Sequence, residues 1–162
     1  MAISRHFGAL AVLGFLLLAS HAPRAQSSAQ NPLPTAKSLK CVFPLYATGT
    51  WKNLEPQAEV KTANLAMRFD SIDAQDGTAE VTGMSARSAG APHITVQLSG
   101  GNIHFLAVDN SGALYITTVF FDRESRGGKL KAVHTRHEFT EVSLPGYTSR
   151  PEQYYGECQA EQ

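Results

Sequence analysis

The chain has 162 residues, with 14 basic and 14 acidic side chains, so its formal charge is zero at neutral pH. This balance excludes the dense basic field that nucleic-acid binding requires, and it gives no reason to expect an anionic membrane as partner. The length is enough for one hydrophobic core and too short for two ordinary domains.

An apolar run near the amino terminus predicts a signal peptide over residues 1–25. Arg5 precedes an almost wholly apolar segment, 7–19, and small and polar residues follow it. The run is too short to cross a bilayer core, which needs roughly 20 residues. We expect cleavage between Ala22 and Ala29 and an exported protein, periplasmic or secreted, that does not insert into the membrane. Removing residues 1–25 takes away two arginines and no acid, which leaves 12 basic and 14 acidic residues.

Residues 26–37 are rich in Ser, Gln and Pro and carry no periodic apolar residues, which is typical of a flexible leader. A single β domain is therefore expected over 38–162. The chain has two cysteines, Cys41 and Cys158, one near each end of this domain. Because exported thiols are normally oxidised, we expect these two to form a disulfide. The alternative is a pair of free buried thiols.

From residue 38 onward the apolar residues recur with period two, and no stretch of a dozen residues shows a helical stripe, so the domain is predicted to be all-β. In the first predicted strand, 39–51, Pro44 indicates an edge or a bulge. One face of this strand is expected to carry five residues: Leu39, Cys41, Phe43, Leu45 and Ala47. A second strand, 65–70, leads through Asp76-Gly77 to a return strand, 79–83, because Asp-Gly between alternating runs is a strong hairpin signal.

A second hairpin is expected from 94–98 and 103–107, around Gly100-Gly101. An apolar stretch, 113–121, predicts a central strand. A long strand, 129–142, and a short last one, 153–158, complete about eight antiparallel strands in meander order. Such a meander must protect its two edges, which favours a small lipocalin-like barrel, with a two-sheet sandwich as the alternative.

Within the long strand, alternation places His134, Arg136 and Glu138 on one face. These three could form a polar cluster that binds an anionic group inside a barrel. The alternative, and the more frequent arrangement, is an ion-pair ladder on the solvent face. His134 and His137 point to opposite faces because they are three residues apart on a strand, so no metal site is predicted.

The second half of the chain is rich in aromatic residues, and Tyr154 and Tyr155 are candidates for a binding pocket or a partner surface, with core packing as the alternative. No Gly-x-Ser-x-Gly elbow and no Gly-rich phosphate loop before a helix is present. We therefore expect neither enzymatic activity nor a cofactor. The alternative is an enzyme with an unfamiliar site around His134, Arg136 and Glu138.

The stretch GKLKAVHTRH at 128–137 and the stretch SRPEQYYGEC at 149–158 resemble the C-terminal half of short uncharacterised exported bacterial proteins. The likeness extends over the strand and turn pattern of 39–121 and implies no function. The layout of an early cysteine, a β meander and a late Gly-x-Cys is similar to that of small periplasmic lysozyme inhibitors, although their inhibitory loop motif is not matched. The sequence thus predicts an exported domain that binds an unknown small molecule or protein, with inhibition of a secreted enzyme as the alternative.

Overall fold

The structure is a computed structural model. It describes residues 30–83, 94–109, 112–121, 127–141 and 147–161, and of residues 50–51, 138–141 and 147–150 only the backbone. A 3-10 helix, Leu33–Thr35, precedes eight strands: β1 Ser38–Lys52, β2 Glu55–Asp73, β3 Thr78–Thr82, β4 Ile94–Ser99, β5 Asn102–Val108, β6 Leu114–Val119, β7 Lys129–Glu141 and β8 Tyr147–Glu161. Among these residues, no helix has the length and apolarity that crossing a membrane requires.

Each strand pairs antiparallel with the next, and β8 pairs with β1, so that the eight strands form a closed barrel in chain order. The prediction of an all-β meander of eight strands is confirmed. Inward and outward positions alternate along the strands that enclose the core, as the burial of every second residue in β5 and β6 shows. The apolar stretch expected to be a central strand is thus buried on one face only, because a barrel has one interior.

The hairpin of β1 and β2 is longer than the sequence predicts. β2 begins at Glu55, ten residues before the expected start, and its residues 55–62 are exposed on both faces. No apolar alternation marks this segment. Instead, a two-residue turn at Asn53 and Leu54, both at positive φ, joins the strands in the geometry that tight hairpins favour. The hairpin therefore extends beyond the barrel.

A bulge at Pro44 divides β1 into two parts. Phe43 pairs with Leu65, but Leu45 pairs with Thr62 and with Tyr155, so the register shifts against both neighbouring strands. Before the bulge Leu39, Cys41 and Phe43 lie in the core, whereas Leu45 after it is exposed. The prediction of one apolar face from Leu39 to Ala47 is therefore wrong beyond Pro44. The bulge inserts one extra residue into β1, so that inward and outward positions exchange after it.

The 3-10 helix closes one end of the barrel with Leu33, which is fully buried. Asn31 fixes this segment, since its Nδ2 donates to the Gly101 carbonyl at 2.7 Å and its Oδ1 accepts from the Leu33 amide at 3.0 Å. The rings of Phe69 and Phe105, in the same core, stack with their centroids 3.9 Å apart. The domain boundary expected at residue 38 therefore leaves out one core residue.

Cys41 and Cys158 form a disulfide, as predicted. They are direct partners in the pairing of β1 with β8, with 4.0 Å between their Cα atoms, and both are buried. The bond thus lies across the junction at which the first strand meets the last.

The junction of β3 with β4 is the shortest in the described part of the barrel. Two pairs of Cα partners join the strands, Thr78 with Thr95 and Ala79 with Ile94. One further hydrogen bond, from the Val96 amide to the Gly77 carbonyl at 2.8 Å, joins the next positions along the two strands. This junction has far fewer contacts than that of β1 with β8, where nine partner pairs are aligned.

Candidate functional site

Inward side chains of β6, β7, β8 and β1 lie in rows because the register pairs them directly. Two apolar rows lie near the disulfide. The first contains Leu130 and Cys158, and the second contains Val119, Ala132 and Gly156. Above them lies an aromatic row of Thr117, His134, Tyr154 and Tyr46, and then a charged row of Tyr115, Arg136, Glu152 and Thr48. Polarity therefore increases toward one end of the barrel, which we call the mouth and which lies opposite Leu33.

His134 is buried at the centre of the aromatic row. Its Nδ1 lies 2.8 Å from the Thr117 hydroxyl oxygen. The rings of Phe43, Tyr154 and Tyr115 surround it, with centroids 5.9, 5.8 and 6.3 Å away. Burial, assisted by the positive charge of Arg136, lowers the pKa of His134 from 6.5 to about 4. The imidazole is therefore neutral at pH 7.

Arg136, Tyr154 and Glu152 form a hydrogen-bonded network above His134. The Tyr154 hydroxyl donates to Glu152 Oε2 at 2.7 Å and accepts from Arg136 Nη1 at 3.3 Å. Arg136 Nη1 also lies 3.6 Å from Glu152 Oε2, and the two side chains are 17% and 24% exposed. Burial, and then the Glu152 carboxylate, raise the pKa of Tyr154 to about 12. The guanidinium charge is thus balanced by an adjacent carboxylate, and both groups reach solvent at the mouth.

The structure brings together some of the predicted site residues and separates others. His134 and Arg136 face the interior, so the more frequent arrangement, a ladder on the solvent face, does not apply to them. Glu138 pairs with Arg150 through its backbone, and its side chain lies outside the described residues. Tyr154 is inside the barrel, but Tyr155, as its neighbour on a strand, is outside and 42% exposed.

Sequence reasoning missed Glu152 and Tyr46 as members of the site, and it counted Tyr115 only among the aromatic residues of the second half that could line a pocket. Glu152 lies two residues before Tyr154 and shares its face, but the predicted last strand began at residue 153. Tyr46 enters the interior only because of the bulge at Pro44. Alternation within 113–121 could have placed Tyr115 on the same face as Thr117, since both are inward in β6.

The network offers hydrogen-bond donors and acceptors beside aromatic rings, which are groups for holding a ligand. His134 and His137 lie on opposite faces of β7, whose pairing with β6 and β8 shows no register shift. Across the described ranges, no group of three or more His, Cys, Asp or Glu side chains could hold a metal ion. The groups of this network can form hydrogen bonds and stacking contacts.

The low pKa of His134 predicts a pH-dependent stability. Between pH 6.5 and pH 4 the unfolded chain binds a proton at this residue and the folded protein does not, so stability is complete above pH 6.5 and falls as the pH is lowered. The expected loss is about 1.4 kcal/mol per pH unit and about 3 kcal/mol in all. Urea unfolding at several pH values measures it, with His134→Gln as the control, because Gln can still bond Thr117. An equal pH dependence in both proteins would contradict the assignment.

No protein-family model, no curated protein and no solved structure matches this chain. The resemblance of the sequence to short exported bacterial proteins and to lysozyme inhibitors therefore stays a prediction.

Proposed function

We propose that the protein is an exported, non-enzymatic binding domain that holds a small planar organic molecule at the mouth of its barrel. The observation that carries the proposal is the partly exposed Arg136–Glu152 pair above a row of aromatic side chains. For export, the support is the predicted signal peptide, with a periplasmic or secreted location. A buried disulfide and the lack of a spanning helix among the described residues are compatible with it.

The charged row favours a neutral ligand with a donor beside an acceptor. Arg136 supplies N–H donors, and Glu152 supplies carboxylate oxygens within the same network. An aromatic amide, or the polar edge of a nitrogen heterocycle, matches this arrangement. The rings of Tyr46 and Tyr154 stack with centroids 5.2 Å apart in the adjacent aromatic row, and their flat faces favour a flat ligand.

Glu152 also changes the ligand that was expected from the sequence alone. An anionic group would gain from Arg136 but would meet the Glu152 carboxylate beside it, so the pair favours a neutral polar group over an isolated anion. The low pKa of His134 supports a binding role, because a general base is most effective with a pKa near the working pH.

The proposal is tested by nuclear magnetic resonance titrations of the oxidised protein with benzamide, benzoate and adenine. We expect benzamide and adenine to shift resonances of the aromatic and charged rows at millimolar concentrations, and benzoate to bind more weakly. Arg136→Met should abolish these shifts, and Arg136→Lys should retain part of them.

Lys131→Met is the matched control for this experiment, since Lys131 lies on the same strand, is exposed and faces outward. It should leave binding unchanged. Shifts that are absent for all three compounds, or that Lys131→Met removes as well as Arg136→Met, would contradict a site at the mouth.

Inhibition of a secreted enzyme is a second candidate, which one observation favours. Leu54 lies at the tip of the projecting β1–β2 hairpin and is 94% exposed on a two-residue turn. A side chain presented in this way could enter a cleft of a target enzyme. Inhibition of secreted lysozymes or proteases at micromolar protein, lost in Leu54→Ser, would support this candidate. Unchanged enzyme activity would remove it.

A further inference from the structure

The outer surface of β7 and β8 carries a partly exposed face that the mouth does not use. Three pairs of cross-strand neighbours form this face: Lys131 with Glu157, Val133 with Tyr155, and Thr135 with Gln153. The first pair has opposite charges, the second is apolar, and the third is polar and uncharged. Tyr155 and Glu157 are substantially exposed, with 42% of Tyr155 accessible. We call these six residues the outer face.

Apolar surface continues from the outer face onto β1. The bulge at Pro44 turns Leu45 outward, and Leu45 pairs directly with Tyr155. Beside them lies an open groove of about 500 Å³, whose lining includes Val42, Pro44 and Tyr155. Exposed apolar patches with polar borders mark interaction sites in soluble proteins.

We propose that the outer face is a dimer interface between two copies of this chain. The two-fold axis lies in the interface, runs parallel to the strands and passes between β7 and β8. This axis places β8 of one copy opposite β7 of the other copy. Each residue of β8 then faces, in the second copy, the residue of β7 that is its cross-strand neighbour within its own copy. Glu157 then meets Lys131 of the second copy, Tyr155 meets Val133, and Gln153 meets Thr135. Every contact is complementary because every cross-strand pair within one copy is complementary.

Charge balance supports a second copy as the occupant. After removal of residues 1–25 the chain carries 12 basic and 14 acidic residues, a net charge of about −2, so that two copies approach with little net repulsion. Lys129 also bonds Glu157 within one copy. Glu157 thus contacts Lys129 within its own copy and meets Lys131 of the second copy across the interface.

Sedimentation equilibrium of the oxidised protein between 1 and 500 μM tests the proposal. We expect a dimer mass at the upper concentrations and a shift toward monomer on dilution. Tyr155→Glu should yield a monomer throughout. Val108→Glu is the matched control, because Val108 is exposed on β5, three strands away from β8 around the barrel. It should associate as the natural protein does.

Two charge reversals test the arrangement of the interface. Lys131→Glu alone brings two acids together across the axis, and Glu157→Lys alone brings two cations together, so each should weaken association roughly tenfold or more. A mixture of the two variants should form a heterodimer close to the natural affinity, because both of its contacts join opposite charges. Circular dichroism confirms that each variant is folded.

A natural protein that stays monomeric at 500 μM would overturn the proposal. So would a dimer that Tyr155→Glu leaves intact, since its interface would lie elsewhere. A dimer that Tyr155→Glu disrupts but whose charge-reversed variants do not associate on mixing would overturn the two-fold arrangement.

Discussion

Reducing the Cys41–Cys158 disulfide is expected to lower the free energy of unfolding by about 4–5 kcal/mol and the melting temperature by roughly 15 °C. The bond closes a loop of 117 residues and thereby restricts the unfolded chain. Because both cysteines are buried, the folded protein should resist mild reductants and lose the bond only when it unfolds. Urea unfolding of the oxidised and reduced natural protein measures the difference.

The two states of the natural protein have the same side-chain volumes, so this comparison separates the crosslink from packing. A Cys41→Ala/Cys158→Ala variant loses the two sulfur atoms from the core as well, and we expect it to be less stable than the reduced natural protein. Equal urea midpoints for the oxidised and reduced protein would show that the crosslink contributes nothing.

Replacing Gly156 with Ala is expected to destabilise the barrel by about 4 kcal/mol or more, an effect that few single substitutions reach. A Cβ at this position would lie 2.0 Å from the Val42 carbonyl oxygen and 2.8 Å from the Phe43 Cα. Both are backbone atoms at the bulge of β1 and cannot rotate away. The close approach of β8 to the bulge therefore requires glycine.

Gly49→Ala is the matched control for Gly156→Ala. Gly49 lies in β1, the strand with the bulge, but the nearest atom to its added Cβ would be the Pro151 Cγ at 3.8 Å, an ordinary contact. We expect its free energy of unfolding to change by less than about 0.5 kcal/mol. Similar losses for the two variants in urea unfolding would show that the bulge does not limit the space at Gly156.

Period-two alternation and turn residues predicted the number and order of the strands. These signals are local, and a barrel in chain order needs nothing more than neighbouring hairpins and a closing pair. The first part of β2, residues 55–62, was not predicted because it buries no apolar side chain, and the alternation of apolar residues reports only burial. The pairing of this segment with β1 depends instead on the turn at Asn53 and Leu54.

The candidate site was predicted in part, for a similar reason. His134 and Arg136 are two residues apart on one long strand, so their shared face follows from the sequence. Tyr46 joins them only through a register shift at Pro44, and Glu152 only through the length of β8. Such pairings between strands distant in the chain depend on tertiary contacts, which one sequence does not reveal.

The junctions of the barrel differ in strength among the described residues. The covalent bond prevents β1 from separating from β8, whereas two partner pairs and one further hydrogen bond hold β3 to β4 within the described residues. Of these two junctions, we expect thermal fluctuations to part β3 from β4 more readily, on the time scale that amide hydrogen exchange records. Such an opening would give a molecule too wide for the mouth a lateral entrance into the interior, created by motion rather than by shape.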